Sequence, residues 1–119
     1  MMFSIILPVY NGERYLKYTL NSIRNLRYSD YELIIINNAS VDNTSVICKE
    51  YVKDTPNCIY HENDINRGLI YSLNYGLRLA TGDYIVRMDA DDIYHKDLLN
   101  TYEREIARMK SRDNFILFC

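Results

Sequence analysis

The chain has 119 residues, of which 48% are hydrophobic and 25% are charged, and its formal net charge is −2. This length predicts one domain that buries a core without disulfides, and 14 basic against 16 acidic residues exclude a strongly basic nucleic-acid-binding protein. Four glycines and two prolines exclude a collagen-like or linker-like chain.

Apolar runs alternate with segments of helical period along the chain. The first half predicts, in chain order, a strand at residues 3–7 stopped by Pro8, a helix with Leu16, Leu20, Ile23 and Leu26 on one face, a strand at 31–36, a helix that begins at 40–42 and ends near Val52, and a weak strand at 58–60. Short continuous apolar runs are typical of strands buried on both faces, and the helical spacing is typical of amphipathic helices.

The second half continues this alternation. It predicts, in chain order, a helix with Leu69, Leu73, Leu77 and Ala80 on one face, a strand at 84–88, a helix with Leu99, Tyr102, Ile106 and Met109, and a strand at 115–118. Strands joined by helical crossovers lie parallel. The order therefore predicts an α/β fold with a doubly wound, mostly parallel sheet and helices on both faces. The last strand reaches the end of the sequence, which we interpret as either the boundary of a fragment or a chain cut short of a larger fold.

The cysteines and the apolar runs bear on the compartment. Cys48, Cys58 and Cys119 are odd in number, widely spaced and without a zinc-site pattern. We expect them to be small packing side chains in a reducing compartment. The start of the chain lacks the basic region of a signal peptide, and no apolar run approaches the roughly 20 residues of a membrane helix. The sequence therefore predicts a soluble, cytoplasmic chain.

Three of the predicted strands end in polar segments. These segments are residues 8–11 after the first strand, 37–40 after the second and 89–92 after the fourth. Ligands of open parallel sheets bind beyond the carboxyl ends of the strands. We therefore expect the three segments to meet at one edge of the sheet and to form the functional site.

The segment after the fourth strand carries three carboxylates within four residues, Asp89, Asp91 and Asp92. Carboxylates about 4–6 Å apart repel each other by about 1 kcal/mol or more. A fold therefore tolerates them mainly where a cation lies between them. Oxygen ligands without His or Cys favour Mg²⁺ or Mn²⁺, which commonly binds one or two carboxylates and the phosphates of a substrate. The alternative is a solvated acidic loop in which Asp92 caps the next helix.

Several common sites are excluded by their patterns. No Gly-x-Gly-x-x-Gly follows the first strand, and the chain has no P-loop and no Gly-x-Ser-x-Gly elbow. A receiver domain has acids after its first strand and a phosphoacceptor Asp after its third, whereas the acids here follow the fourth strand. Dinucleotide-binding, P-loop, esterase-like and receiver domains are therefore set aside.

Four segments stand in a specific order and spacing: SIILPVYN at 4–11, ELIIINNASVD at 32–42, NRG at 66–68 followed by SLN at 72–74, and ATGDYIVRMDADDI at 80–93. Together they resemble family 2 glycosyltransferases with the GT-A fold, which transfer a sugar from a nucleotide-diphosphate donor to an acceptor. The resemblance spans nearly the whole chain. It implies that residues 1–119 are the nucleotide-sugar-binding part of an incomplete, Rossmann-like GT-A domain.

The resemblance implies roles for single residues. Asp91 would be the leading ligand of a Mn²⁺ or Mg²⁺ ion that bridges the diphosphate, with Asp89 and Asp92 in the metal shell or on ribose and sugar hydroxyls. The implied nucleotide-sugar-binding residues are Pro8, Val9, Tyr10, Asn38, Asp42, Arg67, Asn74 and Asp89.

For some of these positions, an ordinary structural role is the alternative to a role in binding. Asn38 stands where the family usually has a base-reading Asp; its amide oxygen can accept from a base N–H, but it can also be a plain turn-forming Asn. Arg67 can be a solvated loop charge, Asn74 a backbone-bonded side chain and Tyr10 a packing residue. Arg87 lies inside an apolar strand, and we interpret it as the partner of nearby carboxylates.

The remaining polar residues are not assigned to the site. We expect His61 and His95 to be surface or loop residues rather than ligands. Glu103 and Glu105 alternate with Arg104, Arg108 and Lys110, as on a solvated helix face. The sequence therefore shows no catalytic base, which inverting enzymes take from a carboxylate, and we expect the base beyond Cys119.

The sequence leaves three possibilities open. The first is transfer of a sugar from a nucleotide-diphosphate donor, with UDP favoured by the resemblance, to a glycan or lipid-linked acceptor. The second is a truncated module that binds nucleotide and metal without transferase activity; a residual fold without a ligand is the third. We also expect no nucleic-acid partner, peripheral association with the cytoplasmic face of a membrane, and a homodimer through the uncovered sheet.

Overall fold

The computed structural model describes residues 1–109 and the backbone of residues 116–118. Its elements are β1 (Phe3–Val9), α1 (Leu16–Arg24), β2 (Tyr31–Asn37), α2 (Thr44–Lys53), β3 (Cys58–Glu62), α3 (Leu69–Leu79), β4 (Tyr84–Arg87), α4 (Leu98–Met109) and β5 (Ile116–Phe118). The described elements follow the predicted order. Residue 115, where the last strand is predicted to begin, and Cys119 lie outside the described residues.

The strands form one parallel sheet in the order β3-β2-β1-β4-β5. The chain moves outward from central β1 to β2 and β3, then crosses back to β4 on the other side of β1. This arrangement confirms the predicted doubly wound parallel sheet. It also brings the carboxyl ends of β1, β2 and β4 to one edge, as predicted.

The two faces of the sheet carry different helices. Phe3, Ile5 and Leu7 of β1 are fully buried in a core cluster with the apolar faces of α1, α2 and α4. The opposite face of β1 and β2 packs against α3. The alternation of a strand therefore places helices on both faces, as the uninterrupted apolar runs predict.

One prediction about β1 is wrong: the strand does not stop at Pro8 but continues to Val9. The carbonyl of Ile6 accepts from the Met88 N–H on the β4 side. The backbone nitrogen of Pro8, two residues after Ile6, points to the same side, where pairing with β4 has already ended. Because no ladder bond is needed there, the missing N–H of proline costs nothing. On the other side, β1 stays paired with β2 through Val9 and Asn37.

The contact between α3 and β1 depends on Gly76. A Cβ at this position would lie 2.6 Å from Ile6 Cγ2, and Ile6 is only 1% exposed. We expect Gly76→Ala to lower the free energy of unfolding by about 1–2 kcal/mol, because overpacking outweighs the helix propensity of alanine. Urea denaturation would measure this. Asn74→Ala at an exposed position of α3 is the control, and equal stability of both variants would contradict the close contact.

A buried polar network closes the other edge of the sheet, where β1 and β2 begin. Glu32 is 7% exposed, and its Oε2 atom accepts hydrogen bonds from Ser4 Oγ (2.6 Å), Thr81 N (2.6 Å) and Thr81 Oγ1 (2.9 Å). Ser4 Oγ in turn accepts from Gly82 N (2.8 Å). This carboxylate therefore joins the first two strands to the turn between α3 and β4.

The cysteines in the described part of the chain are free thiols. Cys48 is buried and Cys58 half-buried, and burial raises the pKa of each thiol to about 12. Both thiols therefore stay protonated and pack as small side chains. Within the described ranges, no helix is long and apolar enough to span a bilayer.

Candidate functional site

The loops after β1 and β2 are held together by hydrogen bonds. The bonds run from Asn11 N to Ser40 Oγ (2.8 Å), Gly12 N to Thr44 Oγ1 (2.8 Å), Glu13 N to Asp42 Oδ2 (3.2 Å), Val41 N to Asn11 Oδ1 (2.9 Å) and Asn43 N to Glu13 Oε2 (3.0 Å). Asn11 and Ala39 adopt left-handed φ angles of 50° and 59°. The left-handed conformation costs an alanine about 1 kcal/mol, so these hydrogen bonds hold a strained backbone segment in place.

The acidic loop after β4 is fixed by buried polar side chains of α1. Thr19 is fully buried, and its hydroxyl lies within hydrogen-bonding distance of the carbonyls of Ala90 (2.9 Å) and Asp92 (2.6 Å), which share its single proton. Ser22 Oγ accepts from Tyr94 N (3.0 Å), and the Tyr94 hydroxyl accepts from Asp89 N (2.5 Å). The sequence prediction missed these residues. Their signal was a Thr and a Ser on the core-facing side of an amphipathic helix.

Thr19→Val would remove the hydroxyl at nearly constant volume. Because two carbonyls of the acidic loop would lose their donor, we expect the free energy of unfolding to fall by about 1–3 kcal/mol. Urea denaturation measures this, with Thr19→Ser as the matched control that keeps the donor. A valine variant as stable as wild type would show that the hydroxyl does not hold the loop.

A cavity of about 460 Å³ opens beside the acidic loop, and we call it the Asp91 cavity. Its lining includes Tyr10, Arg87, Asp89 and Asp91. Arg87 Nη2 lies 3.3 Å from Asp89 Oδ1, which confirms that Arg87 partners a carboxylate. The carboxylate of Asp92 is exposed and does not line this cavity.

The chemistry of this cavity fits a hard divalent cation. Asp89 and Asp91 offer carboxylate oxygens, and the cavity lining contains no His or Cys. In the described part of the chain, no three His, Cys, Asp or Glu side chains are grouped closely enough to hold a metal. Mg²⁺ and Mn²⁺ suit such a site, because they accept one or two carboxylates and complete their shell with phosphate and water oxygens.

A second cavity, of about 280 Å³, adjoins the first, and we call it the Asn38 cavity. The two cavities share Pro8, Val9, Tyr10 and Leu69. The Tyr10 side chain is 51% exposed, so its ring is available to a planar ligand. Asn38 is 6% exposed and bonds to the loop of residues 63–68. The two cavities adjoin at the end of β1, and we call the pair the cleft.

Besides Asp92, three predicted site residues have side chains outside this cleft. Both carboxylate oxygens of Asp42 accept backbone N–H groups, from Thr44 (2.9 Å) and from Glu13 (3.2 Å). Burial raises the pKa of Asp42, but these hydrogen bonds lower it more, so the pKa lies below its usual range. The Arg67 guanidinium pairs with Asp64 at 2.9 Å, and Asn74 is exposed on α3.

Of the two histidines expected to be surface or loop residues, only His95 is an exposed loop residue. His61 instead lies half-buried in β3 and stacks on Tyr75 with ring centroids 3.9 Å apart. The Nδ1 atom of His95 accepts from Asp97 N (3.1 Å). A larger hollow of about 660 Å³ lies between α1 and α2, and its lining includes none of Asn38, Asp89 and Asp91.

Comparison with solved structures defines the class of this fold as GT-A. The structure of S. aureus TarS 1-349 in complex with UDP-GlcNAc matches with a TM-score of 0.84 and 27% identity, covering 91% of this chain and 32% of that chain. The mannosyltransferase PcManGT from Pyrobaculum calidifontis, in complex with GDP-Man and Mn²⁺, matches with a TM-score of 0.82 and 27% identity, covering 88% of this chain and 32% of that one.

The family is shown by the sequence itself. The model of glycosyl transferase family 2 matches residues 4–112, and the chain belongs to this family. The minor teichoic acid biosynthesis protein GgaB of Bacillus subtilis (strain 168) is 41% identical over 93 residues, which is 76% of this chain and 10% of that protein. Among eight curated relatives, this chain spans 10% to 40% of the relative's length.

Proposed function

We propose that this chain is the nucleotide-sugar-binding part of a glycosyltransferase that transfers a sugar from a nucleotide-diphosphate donor, with a UDP-sugar favoured. The observation that carries the proposal is the pair of adjoining cavities at the end of β1, one lined by Asp89 and Asp91 and the other by Asn38. The cleft suits a diphosphate beside the carboxylates and a nucleoside along Pro8, Val9 and Tyr10. The bound UDP-GlcNAc and GDP-Man of the two neighbouring structures support this assignment.

In this proposal Asp91 is the leading metal ligand, and Asp89 and Asp92 flank it. A bound Mn²⁺ or Mg²⁺ would supply a Lewis acid that stabilises the charge on the leaving diphosphate. The chain's own residues position the donor: Tyr10 offers its exposed ring to the base, and Arg87 brings a positive charge beside the carboxylates. Thr19 and Tyr94 keep the backbone of the acidic loop in place before the donor arrives, so little ordering remains to be done on binding.

The other predicted donor residues have a weaker structural basis. Arg67 reaches the cleft through its backbone N–H, which Asn38 binds at 2.9 Å. Asp42 acts through the loop that it anchors, and Asn74 stays a prediction without a contact to the cleft. Their substitution should therefore affect donor binding less than substitution of Asp91.

We place the catalytic base and the site for a glycan or lipid-linked acceptor in the parts of the relatives that this chain does not match. Since the chain spans at most 40% of those relatives, a module that binds nucleotide and metal without transferase activity is the second candidate function. Homodimerisation and peripheral membrane association remain predictions; light scattering and vesicle sedimentation would test them.

Calorimetric titration of the chain with UDP, GDP and dTDP, each with and without Mn²⁺, tests the proposal. We expect UDP to bind when Mn²⁺ is present, to bind more weakly without it, and to bind more tightly than the other two nucleotides. Absence of binding by all three nucleotides in the presence of Mn²⁺ would contradict the proposed function and leave the family membership and fold unchanged.

A further inference from the structure

Three asparagine side chains form an amide cluster under the loop of residues 63–68. Asn38 Nδ2 donates to Asn66 Oδ1 at 2.8 Å, and Asn63 Nδ2 donates to Asn38 Oδ1 at 3.0 Å. Asn38 and Asn63 are each 6% exposed. Asn38, Asn66 and Gly68 also line the Asn38 cavity, so the amide cluster forms part of the wall of the proposed nucleoside site.

Backbone donors fix the orientation of these amides. Arg67 N donates to Asn38 at 2.9 Å, and a main-chain N–H can only donate, so the atom it meets is the Asn38 oxygen. Gly68 N lies 3.0 Å from Asn66 and identifies that atom as oxygen in the same way. Asn38 must therefore present its NH₂ group to Asn66. Reversing either amide would set two donors or two acceptors against each other.

Given the hydrogen bonds it already makes, the Asn38 side chain can form a further hydrogen bond only as a donor. Its oxygen accepts from Asn63 and from Arg67 N, which uses both lone pairs. One Nδ2 proton goes to Asn66, and the second has no acceptor in the described part of the chain. Toward a ligand in the Asn38 cavity, this side chain is therefore a donor.

We propose that Asn38 is a positioning and specificity-determining residue of the nucleoside site, an inference that rests on the proposed function. Its amide fixes the loop of residues 63–68 as the wall of the Asn38 cavity. Its remaining N–H donates to a carbonyl oxygen of the base, so Asn38 does not accept from a base N–H.

This assignment reverses the expected effect of a carboxylate at position 38. If Asn38 accepted from a base N–H, Asn38→Asp would strengthen binding, because a charged acceptor makes the stronger hydrogen bond. In the observed cluster, the same change would set a carboxylate oxygen about 2.8 Å from Asn66 Oδ1. Asn66 could turn its NH₂ group to that oxygen only by losing the bond from Gly68 N.

The test is calorimetric titration of UDP with Mn²⁺ against wild type, Asn38→Asp and Asn66→Asp. We expect Asn38→Asp to weaken UDP binding by about tenfold or more, since the N–H to the base and the bond to Asn66 are both lost. Asn66→Asp adds the same charge to the same cluster but keeps both acceptor bonds, from Asn38 and from Gly68 N. Because Asn66 also lines the Asn38 cavity, we expect Asn66→Asp to weaken UDP binding too, but several-fold less than Asn38→Asp.

Two further measurements separate this role from a loss of folding or a general charge effect. Binding of pyrophosphate with Mn²⁺, which has no base, should be similar in wild type and Asn38→Asp. For wild type, either 2-thio-UDP or 4-thio-UDP should bind several-fold more weakly than UDP, because sulfur is a weak hydrogen-bond acceptor. The thio analogues need no variant, so they test the proposal even if Asn38→Asp does not fold.

The outcomes also separate this inference from the proposed function. If wild type binds UDP, the inference is overturned by an Asn38→Asp variant that binds UDP as tightly as wild type, or by thio analogues that both bind like UDP. Equal weakening of UDP binding in Asn38→Asp and Asn66→Asp would overturn it as well. Failure of wild type to bind UDP with Mn²⁺ would instead contradict the proposed function.

Discussion

Asp91→Asn is expected to remove the Mn²⁺-dependent binding of UDP. Asp91 lines the same cavity as Asp89 and Arg87, and it is the carboxylate to which we assign the leading metal contact. An amide is nearly the same size but carries no charge and makes a much poorer ligand for a hard cation. Loss of a residue that only supports a metal ligand costs 10–100-fold in affinity, so loss of the ligand should cost about a hundredfold or more.

The control for this variant is Asp54→Asn, which makes the same chemical change at an exposed position just after α2, outside the cleft. It should bind UDP and Mn²⁺ like wild type. In the absence of Mn²⁺, UDP should bind wild type and Asp91→Asn with similar weak affinity. Undiminished Mn²⁺-dependent binding in Asp91→Asn would show that the metal site has been assigned to the wrong loop.

Glu32→Gln is expected to lower the free energy of unfolding by about 1–3 kcal/mol at neutral pH, because three donors would lose a charged acceptor in a buried site. Ser4 Oγ, Thr81 N and Thr81 Oγ1 all bind the same carboxylate oxygen. A glutamine can keep one oxygen in place, so the variant should fold. Urea denaturation would measure the loss, and Glu50→Gln at an exposed position of α2 is the matched control.

The contribution of Glu32 should also depend on pH. Burial raises the pKa of Glu32, but the hydrogen bonds from Ser4, Thr81 and Gly82 lower it more, so the folded pKa lies below the ordinary value of 4.5. The advantage of wild type over Glu32→Gln is therefore complete above about pH 4.5 and shrinks as the pH falls through the folded pKa. A stability difference that stays constant into strong acid would contradict this role of the carboxylate.

The order and type of the elements could be predicted because each is encoded locally. Residues 33–36 are four consecutive aliphatic residues with no polar face, which is typical of a strand covered on both faces. The end of β1 was misjudged at Pro8, because the cost of a proline depends on which side of the strand is paired. Only the observed register with β4 decides that.

The site could be predicted only in part. Asp89 and Asp91 stand in a short acidic segment after a strand, so their pattern is local and chemically specific. Thr19 and Asn63 are as important to the cleft, but their partners lie 71 and 25 residues away. Such hydrogen bonds leave no periodic pattern in a sequence. The one feature of the sequence that could have identified Thr19 is its polar side chain at a core-facing position of α1.

The side chain of Asn37, which precedes Asn38 at the end of β2, is held by hydrogen bonds that require an amide. Asn37 Nδ2 donates to the Tyr60 hydroxyl at 2.9 Å, and its Oδ1 accepts from Ser40 N at 3.1 Å. The Tyr60 hydroxyl donates onward to Glu62 Oε1 at 2.5 Å. A carboxylate at position 37 could not donate to a hydroxyl whose proton is already used. This amide therefore belongs to a network that joins β2, β3 and α2.

The central claim is that a divalent metal and a nucleotide meet at the loop after β4. The most direct test is paramagnetic broadening by Mn²⁺ of assigned backbone amide signals in the presence of UDP. We predict that the signals of residues 89–92 and of residues 10–12 are lost first, at substoichiometric Mn²⁺, and that Asp91→Asn removes the effect. Broadening centred on another acidic surface, or unchanged in Asp91→Asn, would contradict the account.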